Sequence, residues 1–259
     1  MNELEQAKPC SEKKKNDAEE DLRRGYFFSF EGIDYCGKTT QTKRLLDYLK
    51  GSSVPAILGA EHGTTSLGQV LRKILKEPRR MYAMYNRGFK LDPNFEYIDV
   101  KQERDPASEM LLFLAARREF VTHFVLPNLE QGITVLADRF ADSTRAYQGG
   151  GRFNSDPWWI DMINRLNNGV INGAWPDRTF FLDISYDNML ARARSNGKCL
   201  DAIESLGDAF FQRVIDEYRR IAAENPERVV AIDGTLDPDR IFNDHVLPSI
   251  DALFAARKS

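Results

Sequence analysis

Eight consecutive residues carry the sharpest chemical signal in the chain: Gly32-Ile33-Asp34-Tyr35-Cys36-Gly37-Lys38-Thr39 spells G-x-x-x-x-G-K-[ST], the phosphate-binding P-loop. The two glycines take backbone conformations closed to other residues, so the loop's N–H groups can converge on anionic oxygens. Lys38 adds a point charge and Thr39 a hydroxyl for Mg2+. Gly32, Ile33, Asp34, Tyr35, Cys36, Gly37, Lys38, Thr39 and Thr40 are therefore the expected ATP-binding residues.

Other residues could act beside this loop. The apolar run Ile133-Thr134-Val135-Leu136-Ala137 ends directly in Asp138-Arg139. An acid at the tip of a core strand next to a P-loop is placed to hold Mg2+ directly or through water, so Thr39 and Asp138 are the expected metal ligands, and Arg139 faces the same phosphates. Phe113 and Arg117 are four apart and share one helical face. Such a pair could sandwich a base and hydrogen-bond its edge, although an aromatic at helical spacing within the apolar run Met110 to Ala116 also reads as core. The stretch from Asp142 through Ser143, Tyr147 and Gln148 to Gly149-Gly150-Gly151-Arg152 suits a pocket wall that needs close backbone approach, or a surface turn. Arg192, Arg194 and Lys198 could close over phosphates as a lid, or form a solvated helix end favoured by the macrodipole.

The elements that must position these groups alternate. Short apolar strands are expected at Tyr26 to Phe30, Val54 to Leu58, Ile133 to Ala137, Thr179 to Ile184 and Val229 to Ile232. Helical periods run from Lys38 to Lys50, Leu67 to Leu75 (carrying Arg72), Asp105-Pro106 to about Leu126, near Trp158 to Leu166, from Tyr186 onward, Ala209 to Ala223 and Asp239 to Ala256. Pro127 is expected to end the third of these. Five strands alternating with helices imply an α/β fold of the P-loop NTPase type, a three-layer α/β/α sandwich on a parallel sheet. Residues 1–25 read as a charged, disordered tail and 26–259 as one P-loop domain, while 77–104 shows no clear period.

Composition narrows the function classes. At 259 residues, 42% hydrophobic and 29% charged, the chain can bury one sizeable core. A net charge of -3 argues against binding a nucleic acid polymer. The three cysteines, Cys10, Cys36 and Cys199, share no metal-ligand spacing and suit a reducing cytoplasm. Met110 to Ala116 is far too short to cross a membrane, and the N-terminus has no apolar signal core.

In their order and spacing, the P-loop, Phe113 with Arg117, Asp138-Arg139-Phe140 and Ser143-x-x-Ala146-Tyr147-Gln148 resemble thymidylate kinase, the P-loop family that phosphorylates dTMP. The resemblance spans about Tyr26 to Leu253. It implies ATP and dTMP as substrates, Mg2+ as cofactor, a helical lid near residues 190–205, a homodimer and a cytoplasmic location. It implies that Asp34 meets the sugar 3'-OH, Phe113 stacks on thymine, Arg117 reaches an exocyclic oxygen and Arg139 clamps the acceptor phosphate. Tyr147 then lies under the deoxyribose and Gln148 contacts the base, with Arg72 and Ser143 completing the substrate set. Lys38, Arg139, Arg192 and Arg194 are the expected catalytic residues. Two departures stand out: Ala60-Glu61-His62-Gly63-Thr64-Thr65 replaces Arg-Glu-Pro-Gly-Gly-Thr, and Asp201-Ala202-Ile203-Glu204 replaces Asp-Arg-x-Glu. These lost arginines, with the atypical 77–104 segment, motivate alternatives: another pyrimidine acceptor such as dUMP or a modified base, or a nucleotide-binding protein without turnover. A nucleoside kinase is a third, and would need a carboxylate base.

Overall fold

The computed structural model describes residues 24–76, 105–197 and 207–258. The charged tail before Arg24, the segment 77–104, Lys198 and the Asp201 to Glu204 motif lie outside the described residues.

Five parallel strands form one sheet: β1 (Phe27–Glu31), β2 (Ala56–Gly59), β3 (Thr134–Asp138), β4 (Arg178–Asp183) and β5 (Val229–Asp233), in the order β2-β3-β1-β4-β5. The second strand starts later than its apolar run, because Pro55 has no N–H for the ladder and offers only its carbonyl, which accepts from Thr134 N at 2.8 Å. β1 is buried throughout and alternates faces. Phe28 and Phe30 join Leu45, Leu49, Leu136 and Phe180 on one side, while Phe27 joins Phe120, Val135 and Phe140 on the other. A sheet apolar on both faces must be covered on both, as the sequence pattern implies. The chain leaves β1 toward β3 and β2 on one side and reaches β4 on the other, so a crevice opens at the carboxyl end of β1. The pairing of Phe30 with Asp138 brings the P-loop and the acid to that crevice.

The helices are α1 (Lys38–Gly51), α2 (Ser66–Lys76), α3 (Pro106–Phe120), α4 (Ala141–Thr144), α5 (Pro157–Ile171), α6 (Tyr186–Ser195), α7 (Gly207–Glu224) and α8, which begins at Pro238–Arg240. Asp105 caps α3 by accepting from Ser108 N at 2.9 Å, with Pro106 behind it. Pro127 does not end this helix. A π turn over Val121–Val125 carries it into a further helical stretch, Leu126–Glu130, with Leu126 N donating five residues back to Val121 O. The wider turn moves away the carbonyl that a proline ring would strike in regular α-helix. The same device recurs in α8, where a π turn over Ile241–Val246 precedes Leu247-Pro248 and the helix runs on to Lys258.

A third π segment, Arg145–Arg152, follows α4 and contains the glycine run. Those glycines are buried and serve helix packing, neither a surface turn nor the approach of a ligand. A Cβ on Gly150 would lie 2.9 Å from Arg213 O and from Glu217 Cβ of α7, and one on Gly151 would lie 2.5 Å from the Phe210 ring. Gly150→Ala should therefore lower the urea midpoint by the equivalent of about 1 kcal/mol or more, because the collision with helix backbone outweighs alanine's better helix propensity. An unchanged or raised midpoint would show that α7 can yield.

Candidate active site

The P-loop joins β1 to α1 in a backbone that few residues adopt: Gly32 has φ 130°, Tyr35 61° and Gly37 106°. A Cβ at Gly32 would sit 2.5 Å from Leu182 O, so glycine is required there on both counts. Tyr35 is the strained member. Its carbonyl accepts from Arg192 at 3.1 Å, and the same guanidinium donates to Gly234 O at 2.7 Å. Thus Arg192 of α6 braces the loop against the end of β5. Lys38 is buried and curls over its own loop, donating from Nζ to Gly32 O at 3.0 Å and Ile33 O at 2.8 Å.

At the start of α1, Thr39 Oγ1 donates to Asp138 Oδ2 at 2.7 Å. Two hard oxygen donors thus adjoin the loop, a set suited to Mg2+, which keeps several waters and takes further oxygens from phosphate. Among the described residues no group of three His, Cys, Asp or Glu side chains could hold a metal alone.

Arg139 follows Asp138 with φ 74°, a left-handed turn that sends its side chain back over the loop. It donates to Gly32 O and Asp34 Oδ1, both at 2.7 Å, to Tyr147 OH at 3.1 Å, and to Ser143 Oγ and Tyr218 OH at 3.3 Å. Its guanidinium also lies 5.0 Å from the Tyr147 ring centroid. Burial works against this charge, but Tyr147, Asp34, Tyr218 and Glu31 around it hold the proton well above the ordinary range.

Beneath it lies Glu31, the last residue of β1 and fully buried. It accepts from Phe140 N at 2.6 Å, Ser143 Oγ at 2.6 Å and Tyr218 OH at 2.9 Å. The Phe140 bond fixes the peptide immediately after the left-handed Arg139. Burial, then the nearby Asp142, push the Glu31 carboxyl up to about 7 against these hydrogen bonds and Arg139.

Phe113 is half-buried and meets His62 edge to face, with ring centroids 5.0 Å apart. Arg117 is 1% exposed and closely partnered. It donates to Glu61 at 2.6 and 3.2 Å, Asn167 Oδ1 at 2.6 Å, Thr144 Oγ1 at 2.8 Å and Phe140 O at 3.2 Å. Glu61 is itself buried, which raises its pKa, while Arg117 pulls it back.

Lys38, Thr39, Asp138, Arg139, Phe113 and Arg117 line one open cleft of about 1000 Å³, with Glu31, Tyr218 and Asn167 buried outside its lining. Its lining includes Asp34, Tyr35, Gly37, Lys38, Thr39, Thr40, Asp138, Arg139 and Arg192 in and around the P-loop, and Arg72, Phe113, Arg117, Ser143, Tyr147 and Gln148 beyond it. Gly32, Ile33 and Cys36 belong to the loop but not to the cleft lining, and exposed Arg194 does not line it either. Sequence reasoning missed Glu31, the site contacts of Tyr218, and Glu109, which also lines the cleft and accepts from Gln148 Nε2 at 3.3 Å. The available signals were a carboxylate ending a mostly aromatic strand and a hydroxyl on the inward stripe of α7.

Glu31 gives the site a pH signature. Its unfolded value is near 4.5 and its folded value about 7, so the folded chain keeps a proton that the unfolded chain has lost between those limits. The stability from this group is complete below about 4.5 and is lost as pH rises through 7. Glu31→Gln should remove a pH-dependent loss on the order of 3 kcal/mol, seen by comparing urea unfolding at pH 5 and pH 8 with the unsubstituted chain. Parallel pH slopes for the two proteins would mean that Glu31 stays ionised throughout.

Comparison with known proteins agrees with this arrangement. The family model described as Thymidylate kinase matches residues 30–87 and 95–244, with its one break inside the aperiodic 77–104 segment. Thymidylate kinase of Prosthecochloris aestuarii is 37% identical over 223 residues, covering 83% of this chain and 88% of that one. Thymidylate kinase of Chlorobaculum tepidum is 34% identical over 233 residues, covering 87% and 96%. The crystal structure of thymidylate kinase from Ehrlichia chaffeensis superposes with a TM-score of 0.62 at 31% identity, covering 88% of this chain and 99% of that one. A P-loop at the crevice of a parallel sheet, an arginine joining it to Tyr147 within the same cleft, and this similarity along most of the chain lead to one conclusion: the chain belongs to the thymidylate kinase family.

Proposed function

We propose that the cleft transfers the γ-phosphoryl group of ATP to dTMP, giving dTDP and ADP. The observation that carries this reading is the position of Arg139, whose single guanidinium bonds the P-loop at Gly32, Asp34 in the same loop, and Tyr147 of the π segment. One cation thus joins the nucleotide loop to the cavity where an acceptor phosphate would arrive.

The attacking oxygen of a nucleoside monophosphate is already anionic at neutral pH, so the reaction needs no general base. Its obstacle is the approach of two polyanions, which calls for fixed positive charge and alignment. Lys38 would exchange its bonds to Gly32 O and Ile33 O for phosphate oxygens, with little movement of the loop. Thr39 and Asp138 would hold Mg2+, which offsets charge on the transferring group when bound. Arg192 already reaches the P-loop through Tyr35 O and would act with Arg194 as lid cations.

On the acceptor side, Phe113 offers a ring face to thymine, with Arg117 and Gln148 near its edge. Arg117 would serve the base as part of its fixed network with Glu61 and Asn167. Tyr147 would lie under the deoxyribose, where it crowds a 2'-OH, and Asp34 would meet the 3'-OH. Ser143 would hold Arg139 in place. Ala60 supplies no cation to the loop after β2, but Arg72 ends beside that loop, its NH1 3.8 Å from where a Cβ on Gly63 would be. We read Arg72 as the replacement charge. The proposed working form is a homodimer of chains in which residues 26–259 act as one domain in a reducing cytoplasm, an assembly that rests on the family resemblance.

ADP release with Mg-ATP against a panel of dTMP, dUMP, dCMP, UMP and thymidine tests the assignment. Turnover should be best with dTMP; a clear preference for dUMP, or activity on thymidine alone, would overturn it. Lys38→Met should lower kcat by about 100-fold or more in a folded protein, the usual scale for one preorganised charge on a developing transition state.

A further inference from the structure

Gln148 is buried at the base end of the cleft, and its side chain has two chemically opposite ends. The amide nitrogen donates and the oxygen accepts, so what Gln148 reads depends on which end is held by the protein. A neighbour decides this. Gln148 Nε2 lies 3.3 Å from Glu109 Oε1. Glu109 sits on α3 one turn before Phe113 and accepts from Arg152 Nε at 3.3 Å and Arg152 NH2 at 3.4 Å. A carboxylate paired in this way to a guanidinium has only acceptor oxygens to offer. Turned the other way, the amide would set oxygen against oxygen. The nitrogen is therefore committed to Glu109, and among the described residues nothing donates to Gln148 Oε1.

We propose that Glu109 is a specificity-determining positioning residue: by holding the nitrogen of Gln148, it presents Oε1 to the acceptor base and selects pyrimidines that carry hydrogen on N3. The inference rests on the reading of this cleft as the dTMP site. Thymine and uracil have an N3–H that Oε1 can accept, whereas cytosine has a lone pair at N3. That lone pair would face a fixed acceptor, leaving two desolvated atoms unpaired, and sites built on hydrogen bonds reject such a mismatch strongly. Stacking on Phe113 cannot make the distinction, since either ring offers it the same face.

The test is kcat/KM for dTMP and dCMP at saturating Mg-ATP in the unsubstituted enzyme, Glu109→Gln and Arg152→Met. Glutamine at 109 can donate as well as accept, which frees Gln148 to turn over. The dTMP to dCMP ratio should then fall about tenfold or more, mainly through KM, with dCMP improving in absolute terms. A merely loosened structure would not improve dCMP. Arg152→Met keeps the Glu109 to Gln148 contact and should leave the ratio within about threefold of its original value. Equal losses on both acceptors in Glu109→Gln would overturn the inference. Where thermal melting shows that Glu109→Gln does not fold, Glu109→Met leaves the amide equally unanchored and is judged by the same ratio. No turnover of dTMP by the unsubstituted enzyme would overturn the functional reading together with this role; turnover with an unmoved ratio would overturn this role alone.

Discussion

A carboxylate sealed from water at the end of the central strand organises this molecule. Glu31 takes one hydrogen bond from the peptide after Arg139, one from Ser143 in α4, and one from Tyr218 on α7. Two segments distant in sequence, the start of α4 and the middle of α7, are thereby locked to the strand that also launches the P-loop. Ser143 and Tyr218 then receive the guanidinium of Arg139, so the acid positions the cation through intermediaries as well as by charge. Such networks are costly when incomplete and rigid when satisfied, which is what a site that must not reorganise during phosphoryl transfer requires.

A second buried pair, Glu61 with Arg117, performs the corresponding task elsewhere in the cleft. Glu61 and Arg117 are 5% and 1% exposed, and the pair joins the loop after β2 to α3. Burial of this kind is weak evidence for net stability, because desolvation offsets most of the attraction. Its effect is geometric: with Asn167, Thr144 and Phe140 O also engaged, Arg117 can hold only one orientation. The departure at Ala60 therefore leaves the neighbouring acid fully used, and the loop keeps its anchor to α3.

The sheet, its parallel sense and the placement of the P-loop were legible because each depends on local pattern: short aromatic or β-branched runs, glycine spacing, and helical stripes. Spacing and composition suggested a pocket around Phe113, Tyr147 and Gln148, which do line the cleft, but the specific base and sugar contacts proposed for them came only from resemblance, since nothing in their spacing says which residues approach across the fold. The glycine run misled for a physical reason. Glycine permits close approach of any atom, and the sequence does not say whether that atom belongs to a ligand or to α7. Pro127 misled because the penalty for proline in a helix assumes an α-helical register, which a π turn relaxes. Glu31 and Glu109 were hard to see because a lone acid shows its importance only through partners that the fold supplies.

The π turn in the long helix after Asp105 has a further consequence. An α-helix rotates about 100° per residue, so the extra residue accommodated in Val121–Val125 sets the angular relation between the two halves of the rod. The first half carries Phe113 and Arg117 toward the cleft, while the second packs Leu129 into the core and receives Gly25 N on the Leu129 carbonyl at 2.8 Å. The turn thus acts as a phase adjuster between a surface that faces the cleft and one that faces the sheet. Each half can keep its own pattern of residues, because the rotation between them is supplied by a local change of helix geometry.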